Sequence, residues 1–219
     1  MSLFRLDTSV LGTRSSTIAL ADLVEREWRA ALPDSPVVRR HLGEAPLSST
    51  HWGAAVAAQF VPPAQRTAEQ REALSLAASL VDELVAAEAL ILAAPLYNYG
   101  VSQHLKTWVD LLLTDPRMAA GAESPLTGKP AVLLTARGGA YGPGTPREGW
   151  DHAIGWMSRI FGEVWGLDLT VVERELTLVG VDPALEPFRE LAERTRTDSE
   201  ERARRAGRNL ALCKETFPA

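Results

Sequence analysis

Two stretches of this 219-residue chain leave little choice of architecture. Glu88-Ala89-Leu90-Ile91-Leu92-Ala93-Ala94-Pro95 and Pro130-Ala131-Val132-Leu133-Leu134-Thr135-Ala136 are nearly continuous apolar runs of strand length. A strand with one wet face alternates apolar and polar residues. A strand covered on both faces does not, and that is the condition inside a parallel sheet packed between helices. Both runs are also far shorter than the roughly 20 residues of a membrane-spanning helix. The pattern around them alternates. A short strand at Leu3–Leu6 precedes a helical stripe of Ala21, Val24, Trp28 and Leu32, stopped by Pro33-Asp34. A strand at 36–42 follows. Residues 43–66, with Gly43, Pro46, Gly53, Pro62 and Pro63, read as a loop holding a short helix near Thr50–Gln59. Thr67 and Gln70 have capping-box spacing and open a helix to about Ala87, with Leu74, Ala77, Ala78, Val81 and Leu84-Val85 on one stripe. Helices are expected at Ser102–Leu113 and Pro146–Trp165, a strand at Leu169–Val179, and a charged helical tail from Pro183 to Glu215. Strand and helix thus alternate five times. This predicts an α/β fold, a five-stranded doubly wound parallel sheet with helices on both faces. No repeat or linker divides residues 1–219, which read as a single domain.

Composition narrows the function classes. Acidic side chains outnumber basic ones by 28 to 23, a net charge of -5, so a basic face for nucleic-acid phosphates is not expected. The single cysteine, Cys213, excludes an intrachain disulfide and any Cys-rich metal site, and nothing beside it marks a reactive thiol. Arg5 and Asp7 interrupt the N-terminal apolar residues too early for a signal-peptide core. The expectation is a cytoplasmic protein with no membrane segment. His41, His51, His104 and His152 lie far apart without metal-ligand spacing, so no metal is expected. No G-x-S-x-G elbow is present for a hydrolase nucleophile.

In an open α/β sheet, ligands bind beyond the carboxyl ends of the strands, so the segments after each strand carry the information. Three stand out. Ser9 to Thr17 is rich in hydroxyls and ends where a helix begins. Free backbone amides and the positive dipole end there suit a phosphate. The loop has neither the nucleoside-triphosphate P-loop pattern nor G-x-G-x-x-G. That leaves a terminal monophosphate such as that of FMN, or plain helix capping by Ser15 or Ser16. Pro95-Leu96-Tyr97-Asn98-Tyr99-Gly100 offers a flat heteroaromatic ring apolar contact and a few polar groups, or is an ordinary loop capped by Ser102. Ala136-Arg137-Gly138-Gly139-Ala140-Tyr141-Gly142-Pro143-Gly144 lets backbone amides approach a ligand closely, or is a surface loop.

Taken together the three segments resemble the FMN-dependent NADH:quinone oxidoreductase and azoreductase family, on a flavodoxin-like fold. Lys106 and Asp110 on the helix after Tyr97-Asn98, and Gly128-Lys129 before the fourth strand, fit the same family. The resemblance implies that Ser9, Ser15, Ser16 and Thr17 hold the FMN phosphate. It implies that Pro95, Leu96, Tyr97, Asn98 and Tyr99 line the ring and ribityl chain, and that Ala136, Arg137, Gly138 and Gly139 meet the ring's polar edge. It further implies a homodimer with two sites at the interface. The implied activity is ping-pong transfer of electrons from NADH or NADPH to a small aromatic acceptor, a quinone or azo compound. Tyr141 stands where some relatives carry a histidine and is the candidate proton donor, with water as the alternative. Departures from the family, Tyr99 for phenylalanine, Ala136 for serine or threonine, and a shorter stretch between Asp110 and Gly128, all fall around the substrate pocket. A flavodoxin-type electron carrier and a redox-inactive binding protein of the same fold are the other readings.

Overall fold

A computed structural model describes residues 1–119, 121–145 and 147–212, so Cys213 and the end of the expected tail lie outside the described residues. Five strands, β1 (Leu3–Asp7), β2 (Val37–His41), β3 (Ala89–Ala93), β4 (Pro130–Ala136) and β5 (Asp168–Arg174), form one parallel sheet in the order β2-β1-β3-β4-β5. The order reverses between β1 and β3, which makes the carboxyl ends of these two strands the place where a crevice opens.

The apolar runs behave as a sheet covered on both faces requires. Leu90 and Leu92 enter one core with Phe4, Leu6 and Leu133. Ala89, Ile91 and Ala93 enter the other with Leu3, Val132 and Leu134. The first core is closed by α2 (Ser49–Ala58), α3 (Ala68–Ala86), α4 (Gln103–Leu112) and α5 (Ile154–Ser158); the second by α1 (Ser16–Ala31) and α6 (Arg189–Leu212). Trp28, Trp108 and Trp165 are fully buried, and Trp108 meets Trp165 edge-on at 5.6 Å. The expected capping box opens α3, with Thr67 and Gln70 each accepting from the other's backbone N–H. Lys129 holds the end of α3, where its ammonium donates to the carbonyls of Leu84, Val85 and Ala87. No helix among the described residues is long and apolar enough to cross a membrane.

Two elements are shorter than the sequence pattern predicts. The helix expected over 146–165 begins only at Ile154 and runs on as a wider π-type turn, Arg159–Val164. Gly144 and Gly149 hold positive φ, and the Asp151 carboxylate accepts from Ala153 and Ile154, setting the start. The strand expected to reach Val179 stops at Arg174 because Leu176 takes φ 59° and turns the chain. Residues 176–178 then donate to the carbonyls of Gly139, Arg137 and Gly138, folding back over the end of β4.

Candidate active site

The loop after β1 folds under its own hydroxyls. Ser15 is the N-cap of α1: its Oγ accepts from the Ile18 N–H at 3.3 Å and donates to Thr17 Oγ1 at 3.4 Å. The capping reading and the ligand reading therefore share this residue. The N–H groups of Ser16 and Thr17, first in the helix, donate to no acceptor among the described residues. That is the arrangement in which a helix N-terminus receives an anion. The Ser16 hydroxyl is uncommitted and half-buried, whereas Ser9, Ser15 and Thr17 are buried. Ser9 is a brace: its Oγ accepts from Leu11 N–H at 3.2 Å and lies 2.9 Å from the Tyr97 hydroxyl, which also accepts from Val10 N–H. The first and second segments are thereby tied together across the switch point. Gly43 permits this packing, since a Cβ there would lie 2.0 Å from the Ser9 carbonyl oxygen.

The segment after β3 closes on itself in a two-residue turn. Tyr97 and Gly100 exchange both backbone hydrogen bonds, at 3.0 and 2.9 Å, and Asn98 and Tyr99 take φ 49° and 66°. That is a type I′ geometry, which Asn accepts and an aromatic residue resists. A non-glycine in this region costs about 1–3 kcal/mol, and such strain collects at functional sites. The turn holds Asn98 and Tyr99 out at the surface.

The third segment divides its residues differently from the sequence reading. The Arg137 side chain is buried and enclosed by carboxylates: Asp151 at 2.8 Å, Glu175 at 2.9 Å, and Glu173. Its own N–H donates to Arg174 and its carbonyl accepts from Thr177. It therefore orders this end of β4 and β5, with its guanidinium turned to those acids. Gly138 and Gly139 keep N–H groups without an acceptor among the described residues. A Cβ on Gly138 would sit 2.6 Å from Leu178 Cδ1, so a side chain there would displace Leu178.

These segments surround a cavity of about 380 Å³, within the usual size for a small-molecule site. Of the residues expected to contact a ligand, Ser9, Ser15, Ser16, Thr17, Pro95, Leu96, Tyr97, Ala136 and Gly138 line it. Asn98, Tyr99, Arg137 and Gly139 flank it, and Tyr141 packs beside Tyr99 with ring centroids 6.3 Å apart. Leu11, Arg14, Thr177, Leu178 and Val181 also line it and are not among the residues the sequence singles out. Arg14 makes no ion pair among the described residues, so a free cation borders the open amides of α1. Its signal, a cation within the loop, is overshadowed there by the hydroxyls. The residues at 177–181 are hidden by their strand-like pattern. A second cavity, of about 370 Å³, lies on the β2 side of the same loop, among charges paired to each other such as Arg5 with Asp7 and Asp22.

An open doubly wound sheet with a hydroxyl- and amide-lined pocket at its switch point defines a protein of the flavodoxin-like class. The model of the flavodoxin-like fold matches residues 1–194. The FMN-dependent NADH:quinone oxidoreductase of Frankia casuarinae is 37% identical over 204 residues, covering 92% of this chain and 96% of that protein. The protein of the same name from Streptomyces avermitilis is 33% identical over 211 residues, 96% of this chain and 97% of that one. The chain belongs to the family of FMN-dependent NADH:quinone oxidoreductases. Among solved structures, an azoreductase from Bacillus anthracis shares the fold with a TM-score of 0.73 at 20% identity, over 95% of this chain and 100% of that one.

Proposed function

We propose that the 380 Å³ cavity holds FMN and that the protein uses it to carry electrons from NADH or NADPH to quinones, azo compounds or related aromatic acceptors. The observation that carries this reading is the pair of open amides at Ser16 and Thr17 facing a pocket walled by the β3 and β4 segments. The residues fit the group. A phosphate between the α1 amides, the Ser16 hydroxyl and the Arg14 guanidinium meets donors and positive charge only. Leu96, Tyr97 and Leu178 give a flat ring apolar walls, and the amides of Gly138 and Gly139 can donate to a polar ring edge. When bound, FMN supplies the two-electron chemistry that side chains lack. The chain's own part is to bind, orient and shield. One pocket serving donor and acceptor in turn gives ping-pong kinetics.

Tyr141 is assigned to proton delivery toward the reduced acceptor, with water able to substitute. The homodimer is supported by apolar side chains left exposed around the cavity: Val10, Leu11, Leu178 and Val181, the last 75% exposed. A second copy would cover them. The assigned compartment is the cytoplasm, in keeping with a chain that has a single cysteine. The deciding test is anaerobic titration of the purified, FMN-loaded protein with NADH and with NADPH, followed by addition of a soluble quinone. Bleaching of the flavin band and its return with quinone support the reading. A flavin that neither nicotinamide reduces refutes it.

A further inference from the structure

Close to Gly139, next in the chain to the cavity-lining Gly138, a cation stands without an ion-pair partner among the described residues. Arg147 is exposed, and its Nη1 lies 3.3 Å from where a Cβ on Gly139 would be. Most nearby carboxylates are already taken, and Asp182 attracts Arg147 without forming an ion pair with it. Asp151, Glu173 and Glu175 enclose Arg137, Glu148 accepts from the Gly144 N–H at 2.7 Å, and Asp182 caps its own turn by accepting from Ala184. An aromatic cluster lies beside the guanidinium, which interacts with Tyr141 and Tyr99. Tyr141 and Trp150 both pack edge-on to Tyr99, at 6.3 and 5.5 Å. Hydrogen bonding to Tyr141, followed by the influence of Tyr99, raises the Arg147 pKa above the ordinary arginine value. Tyr99 is carried here by the strained turn whose first residue, Tyr97, lines the cavity, and Trp150 is half exposed.

We propose that Arg147, beside the Tyr99, Tyr141 and Trp150 cluster, is a specificity-determining residue that receives a sulfonate or carboxylate carried by the aromatic electron acceptor. The inference rests on the reading of the cavity as the FMN site. An aromatic acceptor needs flat apolar contact, which three ring edges and faces supply. An anionic substituent on it needs a planar fork of donors, which a guanidinium gives bidentately and an ammonium does not. An uncharged acceptor uses only the rings, so the cation discriminates between acceptors.

The test uses FMN-loaded wild type, Arg147→Gln and Arg147→Lys. The probes are 1,4-naphthoquinone-2-sulfonate and uncharged 2-methyl-1,4-naphthoquinone. Binding of the sulfonate is measured by calorimetry without nicotinamide, and KM for both quinones and for NADH by turnover. Arg147→Gln should weaken the sulfonate about tenfold or more in Kd and in KM, the loss of one charge-assisted contact. The uncharged quinone and NADH should stay within about twofold, and Arg147→Lys should fall between. Equal weakening of both quinones would make Arg147 a packing residue and overturn the proposal. A raised KM for NADH with unchanged sulfonate binding would give the cation to the dinucleotide phosphates and overturn it too. A protein active on the uncharged quinone but indifferent to the sulfonate sinks this inference alone. A protein that binds no FMN sinks the functional reading and this inference together.

Discussion

Ser16 and Thr17 carry more of the functional case than any other pair, because their amides are open and their hydroxyls border the same space. A hydrogen bond to a charged group contributes about 1.5–3 kcal/mol, and 1.4 kcal/mol is tenfold in affinity. The Ser16→Ala, Thr17→Ala double variant should therefore bind FMN about tenfold or more weakly in a fluorescence titration while keeping its fold. Unchanged affinity would remove the loop from the site. Tyr141→Phe should keep FMN affinity and lower kcat with quinones up to about tenfold, since water replaces the tyrosine imperfectly. An unchanged kcat gives proton delivery to water. Residue by residue, the site is legible in the sequence where chemistry and position coincide. Ser9, Ser15, Ser16 and Thr17 precede a strong helical stripe, and all four line the pocket. Arg137 is not legible, because sequence shows a charge beside glycines but not Asp151, Glu173 and Glu175, which converge on it from beyond β4. Gly138 reads as room for a ligand, and that room is shared with Leu178.

Among the elements, β3 and β4 are the most legible, since an apolar run covered on both faces has few other uses. The stretch 142–153 is the least. The sequence reading starts a helix inside it, but Gly144 and Gly149 turn the chain and Asp151 sets the real start. Apolar alternation at Leu176 and Leu178 imitates a strand, although their hydrogen bonds go to the loop after β4. One close helix contact depends on a residue that no sequence pattern flags. Gly207 of α6 lies against α1, where a Cβ would be 2.4 Å from the Val24 carbonyl oxygen and 2.9 Å from Glu27 Cβ. Backbone gives way far less readily than a side-chain tip. Gly207→Ala should cost about 1–3 kcal/mol by overpacking, whatever the substitution adds in helix propensity. Denaturant unfolding of the two proteins measures this; an alanine variant as stable as the parent would show that α6 sits farther from α1.

At the scale of the molecule, one buried charge cluster ties β1, α1 and β2 together. Glu25 accepts from Arg5, Arg29 and Arg39, while Arg5 also holds Asp7 and Asp22. Burial pushes the Glu25 carboxyl up, but hydrogen bonds from Arg39, Arg29 and Arg5 outweigh it and hold the pKa at about 2, below the ordinary 4.5. Its contribution to stability is therefore complete above pH 4.5 and drains away as the pH falls toward 2. Asp7 works in the opposite sense, because burial raises its pKa despite Arg5, and it is common to wild type and variant. Glu25→Gln should lose about 3 kcal/mol at pH 7, the low end for a broken buried pair because Arg5 keeps other partners. The gap to wild type should narrow between about pH 5 and pH 3; a constant gap would mean that Glu25 acts by shape and not by charge.

The claim on which the rest depends is that the pocket between Ser16, Tyr97 and Gly138 is a flavin mononucleotide site. Equilibrium dialysis of the flavin-stripped protein against FMN and against riboflavin, which lacks the phosphate, tests it most directly. One FMN per chain, with riboflavin bound at least about tenfold more weakly and the difference reduced in the Ser16→Ala, Thr17→Ala variant, is the expected outcome. Equal binding of the two flavins, or none of either, would contradict it.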